Sequence, residues 1–384
     1  MKVYQLADNI ISSLGFTTIE NTNAVFSGIS GIKFFPVGEF QLPEPFFASK
    51  VNDNILESEF KQLSRNNKAI TRFEKMAILS ICRCSENSNI DLSSKRTLFI
   101  LSTTKGNVRL LEDKGAANFD SGSIFLSHSA NVIADFFGNT NKPVVVSNAC
   151  ISGVSAQIVA KRLLQSNAYD HIVVVGAEEL SKFIISGFQS FKALSPLICK
   201  PFDANRTGLN LGEGAATIIY GKAEKEDELP ANTIVLEDGA ITNDANHISG
   251  PSRTGEGLYL ALKSILLNTG EDLGFINAHG TATPYNDEME AIAINRVGLN
   301  KTPVNSLKGY YGHTLGAAGL VETVISSSCL KNNTLVKSIG YEECGVSQPI
   351  NVIQGTVQSP ISSCIKMVSG FGGCNAAILL RKVN

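Results

Sequence analysis

The stretch Val146-Ser147-Asn148-Ala149-Cys150-Ile151-Ser152-Gly153 decides how this chain is read. It follows Pro143 and the β-branched run Val144, Val145 and Val146, which predicts a buried strand. It precedes Val154, Ile158, Val159, Leu163 and Leu164, with Lys161 and Arg162 between them, which predicts a helix with an apolar stripe. Cys150 therefore falls at a strand-to-helix turn. Backbone N–H groups are unpaired there and the helix dipole favours negative charge, so the thiol is expected to ionise more readily than a free one. The competing reading is a structural cysteine that acts as a small buried hydrophobe.

Composition narrows the partners. The chain has 384 residues, 43% apolar and 18% charged, as folded soluble domains do. A net charge of −2 gives no field that would gather nucleic acid or an anionic membrane. No apolar run approaches a membrane span, and residues 1–14 alternate polar and apolar positions without a signal-peptide core. Of the eight cysteines only Cys82 and Cys84 lie close, and no zinc-ribbon spacing occurs. They read as reduced thiols of a cytoplasmic protein with no bound metal.

Outward from the turn, residues 3–14 predict a short strand and a helix, and 98–102 a strand. Residues 58–85 predict one helix whose Lys61, Arg65, Lys68 and Arg72 line a basic exposed side. Residues 172–176 and 215–220 are strands in a β-α-β rhythm. The charge run Glu224 to Glu228, followed by Leu229 and Pro230, marks a boundary between a half spanning 1–230 and a half spanning 231–384. Beyond it the pattern restarts: strand 233–236, helix 257–267, strand 275–278, helix 287–297, strand 303–305, helix 315–330 and closing strands 361–369 and 376–380. Gly212–Ile219 (Gly-Glu-Gly-Ala-Ala-Thr-Ile-Ile) echoes Gly373–Leu380 (Gly-Cys-Asn-Ala-Ala-Ile-Leu-Leu). The strand, turn and helix at Cys150 also parallel those at His313, so the halves read as a duplication.

Of five histidines, two sit among glycines. His279 lies in Asn277-Ala-His-Gly-Thr-Ala-Thr283 at the end of a strand. His313 lies in Lys308-Gly-Tyr-Tyr-Gly-His-Thr-Leu-Gly-Ala-Ala-Gly319 before a helix. Glycine lets backbone and ligand approach closely, and strand ends in α/β sheets bind ligands. Cys150, His279 and His313 are thereby expected in one pocket.

These motifs resemble those of the β-ketoacyl-acyl carrier protein synthases, specifically the Cys-His-His elongating condensing enzymes of the thiolase superfamily. Gly370-Phe371-Gly-Gly-x-Asn375 and Pro201-Phe-Asp203 with Gly212-Glu-Gly214 extend the likeness over nearly the whole chain. The resemblance implies a thiolase-like five-layered α/β/α/β/α fold, with the nucleophile in the first half and both histidines in the second. It implies an acyltransferase that holds an acyl group on Cys150 and condenses it with malonyl-acyl carrier protein. CO₂ is lost in fatty acid or polyketide/polyene elongation. His279 and His313 would hydrogen-bond the oxygen that turns negative during decarboxylation, a role whose loss costs about 10²–10³-fold in rate. Lys308 would order the histidine region with Glu322 as its buried partner. The backbone N–H groups of Cys150 and Phe371 would form the other oxyanion hole, with the Phe371 ring as a gate. Thr281 and Thr283 would bond the phosphopantetheine arm that carries the substrates, no cofactor being bound by the enzyme itself. Ser369 stands where the family often has an aromatic residue and Cys374 where it often has Thr, so both are acyl-pocket candidates. The implied partners are acyl carrier protein and a second copy in a homodimer, or a related ketosynthase-like subunit in a heterodimer.

Three other readings compete. A thiolase acting on coenzyme A thioesters would need a second catalytic cysteine, a place Cys374 offers. A chain-length-factor-type partner subunit would lack the nucleophile. A zinc site of Cys150, His279 and His313 would lack any zinc-motif spacing. Carrier proteins of this class are acidic, so charge reversal at Lys61, Arg65 and Lys68 should weaken carrier binding in a salt-dependent way, measured by titration at two ionic strengths; unchanged binding dismisses that surface.

Overall fold

The apolar runs without alternation become strands covered on both faces, as such runs require. The computed structural model describes residues 1–63, 69–86, 88–112, 119–247, 250–267 and 273–384. Through the first half run β1 (Lys2–Ile11), α1 (Thr18–Phe26), α2 (Asp53–Leu63), α3 (Arg72–Ser85), β2 (Thr97–Ser102), α4 (Leu126–Phe136), β3 (Val144–Val146), α5 (Ser152–Gln165), β4 (His171–Glu178), α6 (Lys182–Ser190) and β5 (Gly214–Ala223). Through the second run β6 (Ile234–Asn243), α7 (Glu256–Leu266), β7 (Phe275–Asn277), α8 (Pro284–Arg296), β8 (Pro303–Asn305), α9 (Lys308–Tyr311), α10 (Ala318–Lys331), β9 (Asn351–Val352), β10 (Ser363–Gly370) and β11 (Cys374–Lys382).

Each half builds its sheet by one scheme. In the first the order is β3-β2-β4-β5-β1, with β3, β2 and β4 parallel and β5 antiparallel to both its neighbours. In the second the order is β9-β8-β7-β10-β11-β6, with β8, β7 and β10 parallel and β11 antiparallel to both neighbours. The echoing sequences therefore form β5 and β11, which hold equivalent places. The sheets meet where Tyr4 of β1 pairs with Val235 of β6.

Three cores separate the layers. Between the sheets, Val154 and Ile158 of α5 and Leu320 and Val324 of α10 pack with Ile100 and Val174 from one sheet and Val368 and Ile378 from the other. Outside the first sheet, Phe73 and Met76 of α3 and Ile133 of α4 cover Phe99 and Val173. Outside the second, Leu258 of α7 and Ile294 of α8 cover Ile276 and Ile365. The result is the α/β/α/β/α stack of the thiolase-like fold.

Three local readings change. The helix expected over 58–85 is two helices, because Thr71 caps a new one. The Thr71 hydroxyl accepts the Glu74 N–H at 3.2 Å and the Glu74 carboxylate accepts the Thr71 N–H at 3.0 Å, a capping box. Residues 3–14 hold no helix: β1 runs to Ile11 and α1 begins only at Thr18. The helix expected over 315–330 opens as a 3₁₀ turn at Leu315–Ala317 before α10. Among the described residues no helix is long and apolar enough to cross a membrane.

The middle layer depends on two glycines. Gly153 and Gly319 are each the second residue of their helices, α5 and α10. A Cβ on Gly319 would stand 2.6 Å from the Val154 backbone nitrogen, and one on Gly153 2.9 Å from that of Leu320. Neither neighbour is a side chain that can turn aside. Gln157 then bridges the crossing, its amide donating toward Thr323 Oγ1 at 3.2 Å and Gly319 O at 3.3 Å. Gly319→Ala should destabilise the protein by about 1–3 kcal/mol through overpacking, read as a lower midpoint in denaturant unfolding; an unchanged midpoint would show that the helices separate without cost.

Candidate active site

The two matching turns deliver the chemistry to one point. Ala149, three residues before α5, has φ of 45°, and so does Leu315, three residues before α10. Such backbone is costly for residues with a Cβ and persists where surroundings impose it. Ser152 locks the first turn, its hydroxyl accepting the Asn148 N–H at 2.7 Å and donating to Ala149 O at 2.6 Å. Cys150 Sγ then meets His313 Nε2 at 2.9 Å. The His279 ring stands edge-on to that of His313, centroids 4.9 Å apart. All three residues are buried.

His279 is held by a carboxylate that the sequence reading missed. Glu290 of α8 accepts the backbone N–H groups of His279 and Gly280, each at 2.7 Å. Asp287, one turn earlier, accepts those of Ala282 at 3.2 Å and Phe202 at 2.7 Å. Acids three residues apart share a helix face; here that face is turned inward, onto the loop bearing His279, Thr281 and Thr283.

Behind the histidines lies a buried charge cluster. Lys308 donates to Glu322 Oε1, as the resemblance implies. A second ammonium, that of Lys366, lies 2.7 Å from Glu322 Oε2. Burial alone would raise the Glu322 carboxyl, yet the two lysines hold it below the usual carboxylate range. Burial, then Lys308 and Lys366, push both imidazoles well below the histidine range, so both are neutral.

The thiol departs from expectation. Burial pushes Cys150 up to about 11, outweighing Lys308 and the Phe371 backbone N–H that bonds the sulfur. Position at a helix start does not ionise a thiol that has lost its water. The arrangement suits a thiol that loses its proton during attack, with His313 Nε2 in reach to take it. The same three residues offer ligand atoms within 4.8 Å of one another. Sulfur and nitrogen on one tetrahedral zinc stand about 3.5 Å apart, however, so the 2.9 Å contact is that of a hydrogen bond.

A cavity of about 390 Å³ opens over this floor. Thr281 and Thr283 line it, their hydroxyls 2.9 Å apart. Phe371 also lines it, 40% exposed, packed against Phe188 of α6 at 6.1 Å and against Phe191 at 5.8 Å between centroids. Gly370 permits this approach, since a Cβ there would stand 3.1 Å from the Cys150 nitrogen. Ser369 lines the cavity with its hydroxyl bound to Asn375 at 2.7 Å. Cys374 does not line it; its sulfur accepts from Asn243 at 3.4 Å outside. Lys61 is exposed on α2, and Arg65 and Lys68 lie outside the described residues. Only the thiolate is alkylated, so iodoacetamide labelling of Cys150 should keep rising with pH toward a midpoint of about 11; a plateau below pH 8 would show a pre-ionised thiol.

Comparison with known proteins agrees with this geometry. Residues 10–225 match the model of the beta-ketoacyl synthase N-terminal domain and residues 234–342 that of the C-terminal domain. A putative mitochondrial 3-oxoacyl-[acyl-carrier-protein] synthase of Schizosaccharomyces pombe is 28% identical, over 93% of this chain and 92% of that protein. The 3-oxoacyl-[acyl-carrier-protein] synthase 2 of Coxiella burnetii is 26% identical over 97% of each. Among solved structures, a chain of the ishigamide ketosynthase/chain length factor matches with a TM-score of 0.89 at 23% identity, over 100% of this chain and 99% of that one. A chain of a ketosynthase in complex with its chain length factor from Xenorhabdus doucetiae gives 0.86 at 22%, over 100% and 98%. At such identities the structures speak for the fold, while the two sequence models cover residues 10–225 and 234–342, including the turns that carry Cys150 and His313: this protein belongs to the beta-ketoacyl synthase family of condensing acyltransferases.

Proposed function

We propose that this protein catalyses a decarboxylative Claisen condensation between an acyl group held on Cys150 and malonyl-acyl carrier protein. The observation that carries the reading is the 2.9 Å contact of Cys150 Sγ with His313 Nε2, beside His279, at the floor of one cavity.

In the first step Cys150 attacks the acyl thioester. Its proton passes to His313 and on to the departing carrier thiol, so the histidine returns to neutral. The acyl carbonyl oxygen is bound by the backbone N–H groups of Cys150 and Phe371. In the second step malonyl thioester enters and CO₂ leaves. The negative charge that moves onto the thioester oxygen is met by the N–H of neutral His279 and by that of His313 once its single proton has moved from Nδ1 to Nε2, in a site with little water. The enolate carbon attacks the acyl-cysteine, the C–S bond breaks, β-ketoacyl carrier protein departs, and the Cys150 thiolate takes a proton from water. Lys308 and Glu322 order the His313 turn, Thr281 and Thr283 bond the phosphopantetheine arm, and Phe371 gates the cavity. Ser369 shapes the acyl pocket; Cys374, away from the lining, is set aside.

The acyl groups come from fatty acid or polyketide/polyene elongation. The partners are an acyl carrier protein and either a second copy or a chain length factor, as in complexes known for similar folds. We place the division of halves at 230/231, in the gap between the two matched models, and the protein in the cytoplasm, consistent with eight free cysteines. An intact Cys150 opposes a purely structural subunit, and the place of Cys374 opposes a two-cysteine thiolase.

Cys150→Ala is expected to abolish acyl-enzyme and β-ketoacyl product, measured by intact mass, while CO₂ release from malonyl carrier protein continues. An unaltered condensation rate overturns the nucleophile, and acetyl-CoA cleavage by the native protein without malonyl decarboxylation overturns the condensation.

A further inference from the structure

β10 carries a charge where its surroundings are apolar. Lys366 has no exposed surface, and it lies between Ile365 and Met367, which face the outer core of the second half. Its own side chain points the other way, toward α10. There its ammonium lies 2.7 Å from Glu322 Oε2 and donates to the carbonyls of Ala278 at 3.2 Å and Asn277 at 3.5 Å. Ala278 is the residue before His279, and Asn277 is the register partner of Lys366 across β7 and β10. The other oxygen of Glu322 takes Lys308.

One carboxylate thus serves two ammonium groups and leaves a net positive charge behind two neutral imidazoles. Burying ions costs more than an apolar residue of like volume, so a second lysine is not explained by stability. A single Lys308–Glu322 pair would already balance the charge of the carboxylate. The second ammonium reaches the end of β7, one and two residues before His279.

We propose that Lys366 is a positioning residue of the condensing site, tying Glu322 to the last carbonyls of β7 so that His279 is fixed at the cavity floor with a positive charge behind it. The inference rests on the condensation reading above. Decarboxylation moves one negative charge onto the substrate oxygen, and a fixed cation behind the donors favours that state over the ground state. The groups facing Lys366 are Glu322 of α10, Lys308 of α9, Glu290 of α8 and the two histidines. Burial draws its ammonium down to about 8, against the pull of Glu322.

The test compares Lys366→Met and Lys366→Gln with the native protein in three measurements. Cys150 acylation, by intact mass, should fall far less than CO₂ release, because that step draws on His313 as a proton carrier and does not use the enolate oxygen site. The kcat of CO₂ release from malonyl carrier protein should fall about 10²-fold, the size of effect expected from a slightly misplaced group, with KM little changed. The imidazole titrations of His279 and His313, by NMR, should move upward as one cation is lost. A folded variant with native CO₂ release and unmoved imidazoles overturns the proposal. Should neither variant fold, the native protein decides: its CO₂ release should decline as pH rises from 7 to 9.5 and Lys366 loses its proton, and a flat profile overturns the role. A native protein that releases no CO₂ refutes the condensation reading itself, a result separate from the ratio between variants.

Discussion

Everything in this molecule is arranged around two helices that touch through bare backbone. Gly153 and Gly319 let α5 and α10 cross closely enough that each would clash with a single added carbon on the other. The crossing lies one turn from the turns that carry Cys150 and His313. It therefore sets the separation of Cys150, just before α5, from His313, five residues before α10. Because both helices are wrapped by two sheets, neither can slide without disturbing the central core. Cys150 Sγ and His313 Nε2 are brought together by buried regular structure, and the loops above them only shape access.

Burial also governs the electrostatics. The same removal of water that protonates the Cys150 thiol keeps both imidazoles neutral. The first effect leaves Cys150 as a thiol at rest. The second supplies N–H donors where imidazolium ions would otherwise compete. Glu322 allows two ammonium groups to exist in this dry region and so holds positive charge at the back of the site. Carboxylates farther out act on backbone: Glu290 and Asp287 take four N–H groups of the loops beside the cavity.

The residues legible in sequence were those whose neighbours announce them. Cys150, His279 and His313 each stand in a run of small residues, which is a local property. Lys308 and Glu322 came from the family resemblance that those motifs carry. Glu290 and Lys366 were not legible, because an acid on a helix and a lysine in a strand read as surface groups until something is known to cover them. Phe188 and Phe191 were passed over for the same reason: only packing brings them to Phe371. The break between α2 and α3 did carry a signal, Thr71 with Glu74, which the apolar periodicity of 58–85 masked.

By itself the sequence determined the alternation of strands and helices, the duplication and the family, since these follow from periodicity and from short motifs, and it singled out Cys150, His279 and His313 as the candidates for the site. Only the tertiary structure decided how these parts behave together. It showed that the thiol is not ionised, that Cys374 stands apart from the cavity, and that a second lysine backs the histidines. Proton affinity and access depend on what surrounds a group in space, and residues 129 or 163 positions away in the chain supply those surroundings for Cys150.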